Sequence, residues 1–82
     1  METAVVEVRI WKENIDEDIE VPLDITVNEL LLALKSIYDL DINLENVASR
    51  HLKTEYPIAL LKGSKALREF GVRNGTVFHI TE

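Results

Sequence analysis

An α+β fold, with one mixed sheet covered on one face by a single main helix, is predicted by three patterns in this sequence. Residues 4–12 and 15–23 alternate apolar and polar side chains with a period of two. Residues 27–38 switch to apolar side chains spaced three and four apart, and residues 76–81 return to alternation. Period two with β-branched residues marks a half-buried strand, and the three-and-four spacing marks a helix with an apolar stripe. Taken along the whole chain the order is ββαβββ. A hairpin, a helix and further strands close into a mixed sheet of four to five strands with the helix on one face.

The first strand places Val6, Val8 and Ile10 on one face and Val5, Glu7, Arg9 and Trp11 on the other. Glu13 and Asn14 break the alternation and predict a turn, which makes the first two strands a hairpin. In the second strand Ile19, Val21 and Leu23 face inward, and Asp18 and Glu20 outward. Pro22 has no N–H to donate, so this strand belongs at a sheet edge or ends there. Thr26-Val27-Asn28-Glu29 reads as a capping box, with Thr26 as N-cap and Glu29 at the third helical position. Ile25 and Leu30 flank it as a hydrophobic staple. Leu30, Leu31, Leu34, Ile37 and Tyr38 then give the helix its apolar side, and it ends near Asp39 or Leu40. Beyond that point the pattern weakens. Residues 47–53 suggest a strand with Leu52 inward, Glu55-Tyr56-Pro57 a turn or irregular crossing, and residues 58–61 a short strand. Asn74-Gly75 is a tight turn with positive φ at Gly75 or at both residues, and it leads into a last strand with Phe78 and Ile80 inward.

The chain has 82 residues, 46% hydrophobic and 29% charged, which suits one globular domain spanning 1–82. A net charge of −6 argues against a nucleic-acid partner and against a polybasic membrane surface. No apolar run approaches the roughly 20 residues that cross a bilayer, so direct membrane insertion is not expected. Met1-Glu2-Thr3-Ala4 carries no basic segment before an apolar stretch, and there is no cysteine, so a cytoplasmic protein is expected, peripheral to the membrane at most through protein partners. Catalysis is not expected either. Three scattered serines and two histidines on strands form no triad by spacing. The carboxylates of Asp16-Glu17-Asp18 suit a solvated edge, and the three glycines sit in turns rather than in a phosphate loop. No cofactor is implied.

The capped helix at Thr26 and the tail Leu67-Arg68-Glu69-Phe70-Gly71-Val72-Arg73-Asn74-Gly75-Thr76-Val77-Phe78-His79-Ile80 resemble the β-grasp, or ubiquitin-like, fold over essentially the whole chain. Within that superfamily the chain is similar to the bacterial EsaB/YukD family, small ubiquitin-like proteins of Gram-positive type VII secretion systems. The similarity lies in Glu20-Val21-Pro22, in Val27-Asn28-Glu29-Leu30, and in Leu61-Lys62-Gly63 with Gly71-Val72-Arg73-Asn74-Gly75. It implies a non-catalytic accessory or regulatory protein whose partners are components of the secretion machine, its membrane ATPase or a pseudokinase-like protein. A ubiquitin-like carrier for conjugation or sulfur transfer is the alternative. The sequence given ends Ile80-Thr81-Glu82 without a diglycine, which disfavours it.

The ubiquitin-like strand order places His51 on the third strand and His79 on the fifth, with Glu7 on the same outer face. Three such groups suffice in number to hold a divalent ion, but ordinary residues of a solvated face are the expected reading. The better candidate is protein binding by that face, which carries Val5, Arg9, Trp11, His51, Lys53, Val77 and His79. Tryptophan and arginine are typical of binding hot spots. On the helix, Leu31, Leu32, Ile37 and Tyr38 exceed what one stripe buries. Residues 40–60 are expected to cover them; otherwise they form a homodimer or partner contact.

Overall fold

Alternation becomes pairing in the first hairpin. In a computed structural model, which describes residues 2–40 and 52–80, β1 (Thr3–Ile10) runs antiparallel to β2 (Ile15–Pro22). Their register runs from Thr3 opposite Pro22 to Ile10 opposite Ile15. The turn between them brings Asn14 to a φ of 54°, a left-handed conformation that Asn tolerates better than most residues.

α1 (Val27–Tyr38) is capped as its sequence requires. The Glu29 N–H donates to Thr26 Oγ1 at 3.1 Å, and the Thr26 N–H donates to Glu29 Oε1 at 3.1 Å. Two helix-start donors are thereby satisfied reciprocally. The helix ends with Asp39 in the left-handed conformation, and Lys35 Nζ donates to the Leu40 carbonyl at 2.9 Å. The covered face of the helix consists of Val27, Leu30, Leu31 and Leu34.

β3 (Leu52–Glu55), β4 (Ala59–Leu61) and β5 (Val77–Ile80) complete a five-stranded sheet in the order β2-β1-β5-β3-β4. β5 lies in the middle, parallel to β1 and antiparallel to β3. Of the strand expected over 47–53, residues 47–51 lie outside the described residues. β2 is an edge, as Pro22 requires. The turn before β5 is tied to β1 at Val5 and at Glu7, whose N–H donates to the Thr76 carbonyl at 2.9 Å. The Val5 N–H donates to Asn74 Oδ1 at 2.8 Å, and the Val5 carbonyl accepts from the Gly75 N–H at 3.0 Å. Only Gly75 of that turn has positive φ, at 91°.

The core lies between sheet and helix. Ala4, Val6, Val8 and Ile10 of β1 meet Leu30, Leu31 and Leu34 of α1, with Leu52, Leu61, Leu67, Phe78 and Ile80 filling the rest. Ile19 and Leu23 are partly buried against it, and Val21 fully. Among the described residues no helix is long and apolar enough to cross a membrane.

Candidate protein-binding face

Because successive strand residues point to opposite sides, the outer face is fixed by the register. Across it, Asp16 of β2, Arg9 of β1, His79 of β5, Lys53 of β3 and Leu60 of β4 form one row. The next row is Asp18, Glu7, Val77 and Glu55. Sequence alternation placed Val5, Arg9, Lys53 and His79 on this face, and the register brings Arg9, His79 and Lys53 side by side. His51 lies outside the described residues, and so does any ion site that includes it.

Trp11 stands just past the end of β1 and is 61% exposed. It is nevertheless held in place. Its indole N–H donates to His79 Nδ1 at 3.2 Å, with the rings nearly parallel at 15° and their centroids 5.9 Å apart. His79 Nε2 lies 3.0 Å from Glu55 Oε1. An imidazole that accepts at Nδ1 carries its proton on Nε2, where it donates to Glu55. The chain Trp11–His79–Glu55 thus joins the hairpin to β5 and β3. The neutral ring is expected to be the Nε2–H tautomer, and nitrogen-15 shifts of His79 at mildly alkaline pH check this. A pyrrole-type Nδ1 there would contradict the bond from Trp11.

Arg9 is less available than its position suggests. Its Nε donates to Glu7 Oε2 and lies 3.7 Å from Asp16 Oδ2. The hydrogen bond from Arg9 is the main influence holding the Glu7 carboxyl below the usual carboxylate range. Asp16 is pushed up, chiefly by its shared hydrogen bond with Glu7. Arg9, Trp11, Asn14, Ile15 and Asp16 line a shallow cleft of about 180 Å³ at the hairpin end.

Two of the expected contact residues do not face a partner. Val77 is on the outer side but only 5% exposed. It sits between Glu7 and Glu55 on the central strand, where a short valine is enclosed by longer neighbours. Leu31 is in the core, because the helix is rotated to turn Leu30, Leu31 and Leu34 together onto the sheet. Tyr38 is partly buried, with its hydroxyl donating to Glu17 Oε1 at 2.9 Å; burial, and then that bond, raise its pKa. Leu32 and Ile37 remain exposed, as does Val5. Residues 41–51, most of the segment expected to cover this helix, are outside the described residues.

With the geometry in place, comparison with known proteins narrows the reading. The sequence model of the family described as "WXG100 protein secretion system (Wss), protein YukD" matches residues 5–80. The chain belongs to the YukD family. No curated protein matches it. Among solved structures, the UBL domain of Plasmodium falciparum Dsk2 superposes with a TM-score of 0.67 at 20% identity, covering 98% of this chain and 97% of that one. The ubiquitin-like domain of tubulin-binding cofactor B gives 0.72 at 21%, over 99% and 90%. The ubiquitin-like domain of the Mycobacterium tuberculosis type VII secretion protein EccD1 gives 0.55 at 15%, with both chains covered completely. Likeness at these identities establishes the fold, a ubiquitin-like β-grasp with five strands and one main helix.

Within this YukD-family chain, sequence reasoning missed the far side of the sheet. Leu60 is 58% exposed and Ile58, just before β4, is 89% exposed. Residues 58–61 were read only as a short strand. The signal available was Leu60, an apolar residue on the outward period of the strand beside Lys62. Glu55, read as a turn residue, is instead the last residue of β3 and the partner of His79.

Proposed function

We propose that this chain is a non-catalytic accessory or regulatory protein of a bacterial type VII secretion system, acting on the cytoplasmic side as one ubiquitin-like binding domain. Membership of the YukD family of the WXG100 secretion system supports the setting. The ubiquitin-like domain of EccD1 has the same fold and is itself part of a type VII secretion protein. The observation that carries the binding mode is Trp11, an exposed aromatic side chain already fixed by His79 beside Arg9. A rigid aromatic anchor loses little side-chain freedom when it is buried by a partner, which makes it effective in binding. Protein components of the machine, its membrane ATPase or a pseudokinase-like protein, are the proposed partners.

Trp11→Ala is expected to weaken partner binding by about tenfold or more, as the loss of a hot-spot side chain does, and thereby to reduce secretion of the system's small substrates. Arg9→Ala is expected to reduce it less, because Arg9 is already occupied by Glu7 and Asp16. Both residues are outside the core, so thermal unfolding is expected to stay close to that of the parent. Secretion at parental level in well-folded Trp11→Ala would remove this face from the mechanism.

A further inference from the structure

The two edges of the sheet are chemically opposite. β2 presents Asp16, Glu17, Asp18 and Glu20, all exposed. A row of like charges discourages another strand from pairing there. β4 has no such guard. Leu60 and Ile58 are exposed at and beside this edge, and Tyr56 is exposed in the turn before it. Lys53 stands opposite Leu60 in the register, and Lys62 follows the end of the strand. Neither lysine is ion-paired with a described residue, although the chain carries a net charge of −6. Ile58, Leu60 and Lys62 follow one another on one face of the strand, with Lys53 beside Leu60 on that same face, so this edge is complementary to an extended segment that carries apolar and acidic side chains together on one face.

The geometry points to the β4 edge as the docking site for an extended acidic and apolar segment of a partner protein, which adds there as a sixth strand. Main-chain hydrogen bonds to this edge, which has no further strand beside it among the described residues, supply affinity, and the side chains on each face supply choice. On the outer face that Ile58, Leu60 and Lys62 share, the segment's apolar side chains lie against Ile58 and Leu60, and its carboxylates, two positions further along on the same face, meet Lys62 and reach across Leu60 to Lys53. A second copy of this chain suits the edge less well. Pairing of two β4 edges would bring the lysines of both copies to one seam, and the acidic β2 edge on β4 is a head-to-tail contact, which does not close into a two-fold dimer.

This inference rests on the reading that the chain works by binding protein, but its test is separate. Secretion in the Trp11 variant reads the hairpin end of the face, whereas a peptide titration reads β4 alone. The probe is a capped peptide of about eight residues, a length typical of strands, with threonine on one face and two valines followed by two glutamates on the other. Amide shifts of the nitrogen-15-labelled chain are followed during titration. Saturable shifts are expected at Lys53, Ala59, Leu60, Leu61 and Lys62. Leu60→Asp is expected to weaken binding by about tenfold or more. The double variant Lys53→Glu, Lys62→Glu is expected to lose the glutamate peptide and bind the same peptide with lysine in place of glutamate. All three positions are surface residues, so the fold persists. Shifts on β2 or around Trp11, absence of saturation, or a charge reversal that leaves the preference unchanged would overturn the proposal. So would the same amides shifting as the protein alone is concentrated, which would assign the edge to a second copy.

Discussion

Phe78→Ala is expected to leave the chain largely unfolded or close to it. Phe78 has no exposed surface and lies on β5, the central strand, opposite Val8 on one side and Thr54 on the other. Removing a buried phenylalanine ring costs about 3–5 kcal/mol, part lost transfer energy and part cavity. Domains are stable by about 5–15 kcal/mol, and one this small belongs toward the lower end. The loss is therefore comparable with the whole margin. Urea unfolding followed by far-ultraviolet circular dichroism measures it directly. Phe78→Leu keeps most of the volume and is expected to cost less than about 1.5 kcal/mol. A stability for the alanine variant within 1 kcal/mol of the parent would mean that the sheet and helix do not share one core around this ring.

Phe78 was legible in the sequence because its signal is local and periodic. The same holds for Val6, Val8 and Ile10, and for the Thr26 and Glu29 cap, whose partners lie three residues apart. Pro22 revealed the edge strand through the donor it lacks. What local pattern could not supply was the rotation of the helix and the depth of each position. Leu31 and Leu32 are adjacent and chemically alike, yet one is core and the other surface, because only the packed sheet selects the stripe. Val77 shares its alternation class with exposed residues and is enclosed because its strand is central. The resemblance to a known family supplied the strand order, and with it the row that joins Arg9, His79 and Lys53. The bond between Trp11 and His79 spans 68 positions and has no spacing signature. The apolar edge at β4 was unread for a related reason: a short strand with Leu60 outward looks like any buried strand until its neighbour count is known.

Thr76 carries the second large effect, and it too is invisible to periodicity. It lies just before β5 with no exposed surface. Its hydroxyl donates to the Tyr56 carbonyl at 2.6 Å and accepts from the Arg73 N–H at 3.0 Å. One oxygen thus closes the turn before β5 and ties it to the turn that leads into β4. Thr54 reinforces the second of these, donating to the Pro57 carbonyl at 2.7 Å. Thr76→Val keeps the shape and the β-branch but removes both bonds. Leaving a buried polar group unpaired costs about 1–3 kcal/mol, so two such groups make a loss of about 2–6 kcal/mol. Thr76→Ser keeps the hydroxyl and loses a methyl group, for about 1 kcal/mol. The serine variant is therefore expected to be the more stable of the two in urea unfolding, with the Arg73 amide exchanging faster only in the valine variant. Equal stability, or valine above serine, would show that the hydroxyl bonds contribute little. The consequence reaches the surface as well. Tyr56 and Ile58 are presented by the turn that this hydroxyl holds, so loosening it in Thr76→Val is expected to weaken peptide binding at β4 while leaving the Trp11 contact with His79 in place.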